Sequence, residues 1–538
     1  MTTQTPSAPH FASESLDVKD NMSVYQAAVT VLAQLEHDGS PEALSCKHLA
    51  VLSLARSGAM EFAQSEYERY GLTRISGHED IMALAGRLAK DRFDASGDFE
   101  HARDSANLYE AAFQSTSGYY SGINAATMSL ISKVPQEIVI DRAQAVLSRL
   151  SAVSGETDEA RYFIHASRAE AYYILGDKAS ASASLQAALD FDPLNYTAHA
   201  STYRQFRLLA QAHGENMDWL KPLRAPLSVH FAGHLFSRIT DEDSLCVAIS
   251  DLIQKEDIGF GYGALAAGSD IIFAEALLKE GGELHVILPV AADIFKAISV
   301  MALDKKSGTN WGARFDSCLE RASSMRILTG YEDWPDVDLN NYAAKISMGQ
   351  ACSRARTLSS RAGQVLIWDG NASSSLTAHH AQDWRSSKEE FGEGMTSERP
   401  QFIMEFPDRR RAGSSRKIET HSAFTVKTSL AKNGELIRQF DDCSEALAAA
   451  VKAMEKGAVS DRFGLDIAMS RKLNPAPRPA LVCEALSRDG LPGSLTVSQD
   501  LSALLALEHS SDWVSGFTGW SEYEGGVIPA YFAKPLTQ

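Results

Sequence analysis

The sequence predicts a multidomain chain with an all-α repeat solenoid, then an α/β domain on a parallel sheet, then a smaller α+β domain. Three observations predict it. From residue 21 to 223, Ala-rich and Leu-rich helical stretches alternate with short Gly, Asp or Pro breaks. At residues 221–227, KPLRAPL, two prolines end that pattern, and short apolar runs then alternate with helical ones. That alternation marks a parallel sheet covered on both faces. From residue 401 on, strand-like FIMEF, AFTVKTSL and SLTVS mix with helical SEALAAAVKAME and LSALLALEH.

In the solenoid, the clearest unit is Tyr172, Gly176, Ala181, Leu185, Ala188 and Pro193. These occupy the aromatic, inter-helix glycine, small, large, second alanine and closing proline positions of a tetratricopeptide repeat (TPR). Gly176 lets the chain reverse, the alanines let two helices approach, and Pro193 stops the second helix. An earlier pair runs Glu42–Ser57 and Ala59–Tyr70 around Gly58. Between the two units lie Gly86, Arg87, Lys90, Asp91, Tyr119, Tyr120 and Gly122 to Ala126. On those residues, positions 75–220 resemble the TRAFs-binding domain of apoptosis signal-regulating MAP kinase kinase kinases and its bacterial relatives. The resemblance implies a helical scaffold that binds a protein partner, and no kinase motif accompanies it. Tyr119, Tyr120 and Asn124 are expected to pack between repeats.

The domain at 224–385 should hold five strands: LSVHFAG, IGFGYGA, ELHVILPV, RILTG and QVLIWDG. Its informative loop is Gly259, Gly261, Gly263, Ala266, Ala267, Gly268, Ser269 and Asp270, between a strand and a helix. Small residues there admit a phosphate to the backbone, and helix-start amides supply donors. Ser269 is placed to cap that helix. Ligand-binding candidates at strand ends are Gly233, His234, Gly261, Gly263, Gly268, Ser269, Asp270, Asp369 and Gly370, with Asp270 facing a ribose hydroxyl and Glu275 as a catalytic base. His230, His234, His379 and His380 lack the spacing and partners of a metal site. The patterns at His230–His234, Gly263–Leu278, Glu283–Pro289, Arg314–Phe315, Met348–Gly349 and Trp368–Gly370 resemble the SLOG superfamily of Rossmannoid domains. That implies a Rossmann-like sheet binding a nucleotide or nucleotide-derived ligand. Some members hydrolyse N-glycosidic bonds, but the PGGxGTxxE loop of those enzymes is absent.

A polar stretch, residues 386–400, reads as a linker. Residues 401–538 resemble a class III nucleotidyl cyclase domain of ferredoxin-like type: FIMEFPD as first strand, NGELIRQFDD as hairpin, LPGSLTVSQDLSALLAL late, and EGGVIPAYFAKP as the last hairpin. The resemblance puts Asp408 and Glu435 at the metal positions, as vestiges. Two acids on metal plus basic groups on phosphate are what that chemistry needs. Ala485 stands where arginine is expected, and RRRAG follows Asp408 in place of a Gly-Phe segment. The domain therefore reads as degenerate, serving to pair subunits into a homodimer or to sense a ligand.

Net charge is −18, from 51 basic and 69 acidic residues, which argues against general attraction to nucleic acid or anionic membrane. Arg409, Arg410, Arg411, Arg416 and Lys417 form one local basic run. No apolar run reaches the ~18 residues of a membrane span. Residues 1–20 lack a basic start and apolar core and read as a disordered tail. Six scattered cysteines without a CxxC pair suit reduced thiols. Together these point to a cytoplasmic signalling or sensor protein, with an N-glycosidase-type enzyme as the alternative and an active purine nucleotide cyclase as a more distant one. No cofactor is implied beyond a bound nucleotide.

Overall fold

A computed structural model describes residues 20–536 apart from 36–38, 236–241, 308, 330–336, 369–375, 388, 392–394, 398, 405–423 and 472–477. It divides into two compact units, one ending at Ala225 and one running from Pro226 to Leu536.

The first unit is helical throughout. In order, its helices are α1 (Asn21–Gln34), α2 (Pro41–Arg56), α3 (Met60–Arg69), α4 (Glu79–Ser96) and α5 (Phe99–Thr116). Then follow α6 (Tyr119–Ile131), α7 (Gln136–Leu150), α8 (Asp158–Ile174), α9 (Lys178–Phe191) and α10 (Tyr196–His213). Polar caps set the starts: Ser40, Thr157, Asp177 and Asn195 each accept an amide three residues on, at 3.0–3.1 Å. The reversal between α8 and α9 runs through Gly176 at φ +82°, a conformation that costs glycine nothing. Ala181 and Ala188 of α9 are wholly buried. Gly86 of α4 packs on the Tyr109 ring, where an added Cβ would stand 2.7 Å from ring carbons.

The second unit opens with β1 (Leu227–Gly233), α11 (Glu242–Glu256), β2 (Ile258–Gly263), α12 (Ser269–Lys279) and β3 (Glu283–Leu288). It continues with α13 (Ala292–Ser299), α14 (Met301–Ser307), α15 (Trp311–Arg321), β4 (Ser324–Ile327), α16 (Val337–Thr357), β5 (Ala362–Ile367) and α17 (Leu376–Ser386). Next come the short hairpin β6 (Glu389–Phe391) and β7 (Met395–Ser397), then β8 (Gln401–Met404). The first sheet has the order β4-β3-β2-β1-β5-β8, with every neighbouring pair parallel. The chain leaves β1 toward β2 on one side, and β5 lies on the other. Open α/β sheets hold ligands at such a switch of direction. Alternate residues of β1 serve opposite faces: Phe231 stacks on Phe273 of α12 at 4.8 Å, while His230 meets His380 of α17.

Two expectations need correction here. The stretch 386–400 is not a plain linker, since it carries the β6/β7 hairpin and Arg399 is buried. FIMEF is not the first strand of a separate last domain. Its residues Gln401–Met404 add β8 to the parallel sheet beside β5, because Phe402 and Met404 find apolar cover against that sheet's core.

The remaining elements are β9 (Phe424–Lys432), β10 (Glu435–Phe440), α18 (Cys443–Lys456), β11 (Phe463–Arg471) and α19 (Arg478–Asp489). They end with β12 (Leu495–Ser498), α20 (Gln499–Glu508), β13 (Trp513–Tyr523) and β14 (Gly526–Pro535). They form a mixed sheet, β10-β9-β11-β12-β14-β13, in which β11 and β12 pair in parallel. Helix α20 ties the two sheets into one unit. Its start holds Asp500 against Arg326 of β4 at 2.5 Å. At its other end Arg399 donates to the Ala506 carbonyl at 3.1 Å, and Lys345 pairs with Glu508 at 2.8 Å. An acid at the first turn and cations at the last are the arrangement that the helix dipole favours. All six cysteines are free thiols, and no helix among the described residues is long and apolar enough to cross a membrane.

Candidate functional site

The switch point brings together the ends of β1 and β2 and the start of α12. Gly233 closes β1, and an added Cβ there would stand 2.3 Å from the Ser269 Cβ. Its smallness lets α12 begin directly against the strand. Gly268 takes φ +105° and ψ −121°, a conformation that side chains rarely tolerate. Ser269 does not cap the helix, as its position suggested. It is the first helical residue, its hydroxyl and amide both donate to the His234 carbonyl at 3.0 and 3.3 Å, and Gly268 holds the cap position. The His234 amide in turn donates to Ile367 at the end of β5.

Asp270 is the chemically distinctive residue of this edge. It is 8% exposed. Its Oδ2 accepts the Ala266 amide at 3.2 Å, and its Oδ1 accepts no hydrogen bond among the described residues. Burial pushes its carboxyl up to about 7, against the smaller opposing pull of the Ala266 and Gly233 amides. A carboxyl half-protonated near neutrality can donate or accept, which suits it to ligand contact or proton transfer.

The other strand glycines have packing reasons. A Cβ on Gly261 would meet Leu277 at 2.5 Å, one on Gly263 the Phe231 carbonyl oxygen at 2.6 Å, and one on Gly259 the Pro226 ring at 2.5 Å. Gly261 lies within β2 rather than in a loop. Glu275 is held elsewhere. Arg314 of α15 grips it through two bonds of 2.9 and 2.5 Å, also reaches Glu242 of α11 at 2.7 Å, and lies 4.2 Å above the Trp311 ring. This clamp joins three helices, and its carboxylate is committed to it. Asp369, Gly370 and Asp408, and the basic run from Arg409 to Lys417, lie outside the described residues. Glu435 is exposed at the start of β10 opposite Lys432, and Ala485 is buried in α19. No group of three or more His, Cys, Asp or Glu among the described residues is arranged to hold a metal ion.

The helical unit contains a cleft that sequence reasoning missed, with about 1100 Å³ of empty space including its open mouth. Five helices line it, each through one face. Asp80, Ala83, Leu84 and Arg87 come from α4, and Phe163, Ala166, Ser167 and Glu170 from α8. Both sets have the 0, 3, 4, 7 spacing of one helical stripe. Charge on an otherwise core-facing stripe was the available signal. Tyr119, Tyr120 and Asn124 of α6 line the same cleft. Tyr120 does pack edge-on against Tyr109, and Asn124 donates to the Tyr120 carbonyl, but their outer faces belong to the cleft rather than to packing alone.

One family description matches the chain, over residues 24–129. It is Tetratricopeptide Repeats-Sensor. The match spans α1 to the last turn of α6 and so includes the α2, α4 and α6 residues of the cleft. Sensor repeats of this kind suggest a protein-interaction or sensing role. No curated protein matches the chain.

Proposed function

We propose that the chain is a signalling sensor in which the Rossmann-like sheet binds a nucleotide or nucleotide-derived ligand and the TPR-like helices engage a protein partner. The observation that carries the ligand reading is Asp270, a buried carboxyl with an unpartnered oxygen at the switch point of a parallel sheet. The Gly233 and Ala266 amides act on it, and the start of α12 adds its positive end. In this reading Asp270 meets a sugar hydroxyl. The degenerate cyclase-like part pairs subunits through a surface other than α20, whose residues from Leu501 to Leu507 are all buried within the chain. Calorimetry with ATP, NAD, ADP-ribose and a cyclic dinucleotide tests the reading. Asp270→Ala should weaken the best binder by about 1–3 kcal/mol. Equal affinity of wild type and variant, or no binder in the panel, rejects it.

The alternative is an enzyme cleaving a nucleotide N-glycosidic bond. What favours it is the neutral-range carboxyl of Asp270, which would replace Glu275 as the acid–base group. Release of a free base from NAD or a nucleotide, lost in Asp270→Asn, would favour this over the sensor reading.

A further inference from the structure

We infer that Arg385, Gln401, Gln364 and His230 form an acid-sensitive latch, which holds α17 on the parallel sheet and releases it when His230 takes up a proton. The latch does not rest on the nucleotide reading of the Asp270 edge.

Its polarity is set at the exposed end. Arg385 of α17 can only donate, and its Nε donates to Gln401 Oε1 of β8 at 2.8 Å. Gln401 must therefore turn its amide nitrogen inward. There it donates to Gln364 Oε1 of β5 at 2.6 Å and to the Ala381 carbonyl of α17 at 3.3 Å. That contact orients Gln364, which is wholly buried. The Gln364 amide nitrogen donates to the His380 carbonyl of α17 at 3.1 Å and meets His230 Nδ1 of β1 at 3.1 Å. An amide nitrogen has two protons and cannot accept. Both protons of each glutamine are thus used, and His230 Nδ1 has to be bare. Amide and imidazole orientations are ordinarily open choices; here the guanidinium removes the choice.

A proton on Nδ1 sets donor against donor. Relief requires the Gln364 amide to turn over, which points its oxygen at the His380 carbonyl and its nitrogen at the Gln401 nitrogen. Gln401 cannot follow while Arg385 holds its oxygen. The tie to α17 and the bond between the glutamines are therefore lost together.

The surroundings offer a proton no compensation. Burial and His380 already hold His230 well below the usual histidine range. The His380 ring stands edge-on to it at 5.8 Å, with both nitrogens sealed from solvent and unpartnered, and His379 adds repulsion. On the β2 side stands Tyr262, which burial keeps protonated. From α16, Lys345 is paired with Glu508 of α20 and faces Asp383 of α17, and Arg354 reaches Glu283. No acid acts on either imidazole among the described residues.

Helix α17 is anchored firmly at one end. Trp384 is buried there, with Arg399 over its ring. The part before it covers Leu366 and Trp368 of the β5 end and Ala232 of β1. Release swings that part about Trp384 and uncovers the strand ends beside the switch point.

The test is hydrogen exchange on the full chain at pH 7 and pH 5, each corrected for the intrinsic rate. Opening that frees a histidine held below its normal value grows by up to about tenfold per pH unit below about 6.5. Residues 376–383 should open at least about tenfold more at pH 5 than at pH 7, with α12 unchanged. His230→Asn supplies an acceptor that does not titrate, and should cut that ratio at least about threefold, the remainder belonging to His380. Arg385→Met keeps the stem and frees both glutamines to turn, so it should also shrink the ratio while lowering protection at pH 7. A merely structural Arg385 would lower protection equally at both pH values. Circular dichroism confirms each fold, and Arg385→Met, at an exposed position, suffices if His230→Asn does not fold. No acid opening in wild type, or a wild-type ratio in a folded variant, overturns the inference.

Discussion

Gly349 of α16 lies so close to Ala503 of α20 that an added Cβ would stand 2.2 Å from the Ala503 carbonyl oxygen. The obstacle is backbone on a neighbouring helix, which cannot swing aside as a side chain can. Gly349→Val should therefore separate the two helices and cost about 3 kcal/mol or more. Because α16 packs on the parallel sheet and α20 on the mixed one, residues 226–536 should lose stability together. Thermal unfolding followed by calorimetry should show that transition shifted down, with a transition of residues 20–225 unmoved.

Asp270 sets a pH dependence with a definite sign. Its carboxyl is held up to about 7 in the fold by burial, against about 4 in an unfolded chain. The folded state thus binds the extra proton, and wild-type stability should fall as pH rises from about 4 through about 7. Asp270→Asn keeps the shape and removes the charge. Its stability advantage over wild type should grow by about 2–3 kcal/mol between pH 5 and pH 8. Urea titrations at the two pH values measure the difference.

Two buried histidines act in the opposite range. His380 of α17 has both ring nitrogens sealed from solvent without hydrogen-bond partners, and burial, with the His379 charge added, lowers it to about 4. His230, bonded to Gln364 at 3.1 Å, is also held well below the usual histidine range, by burial and by His380. Both are neutral in the fold, while an unfolded histidine titrates near 6.5. Stability should therefore drop as pH falls from about 6.5 toward 4. His380→Phe should flatten that acid limb by about 1–2 kcal/mol, read from unfolding midpoints at pH 7 and pH 5.

Glu275→Gln separates a structural from a catalytic role. Loss of the two-bond grip of Arg314 should cost about 1 kcal/mol, since the pair is only partly buried. Ligand binding and any turnover should be unchanged. A variant of normal stability with abolished turnover would return the base role to Glu275.

The parts of the fold that local chemistry dictates were legible. Gly176, Ala181 and Ala188 announce their hairpin because a reversal and a close approach each admit few residues. Of the five strands from LSVHFAG to QVLIWDG, all but β4, which is mostly exposed, are buried apolar runs. What was not legible depends on partners distant in sequence. FIMEF reads equally well as the start of one sheet or the edge of another, and only its pairing with β5 decides. Asp270 was found from its place after the glycine loop, but its unpartnered oxygen comes from burial that no local pattern encodes. Glu275 looked available because Arg314 is 39 residues away. The helical cleft went unread for the same reason: Lys90 and Gln205 meet across 115 residues.

The most direct measurement of the central claim is hydrogen exchange on the full chain, with and without the best binder of the nucleotide panel. Ligand at the switch point should slow exchange in the segment from Gly263 to Phe273, together with the end of β1 at Gly233 and His234. No slowing in that segment with any compound of the panel would contradict the account.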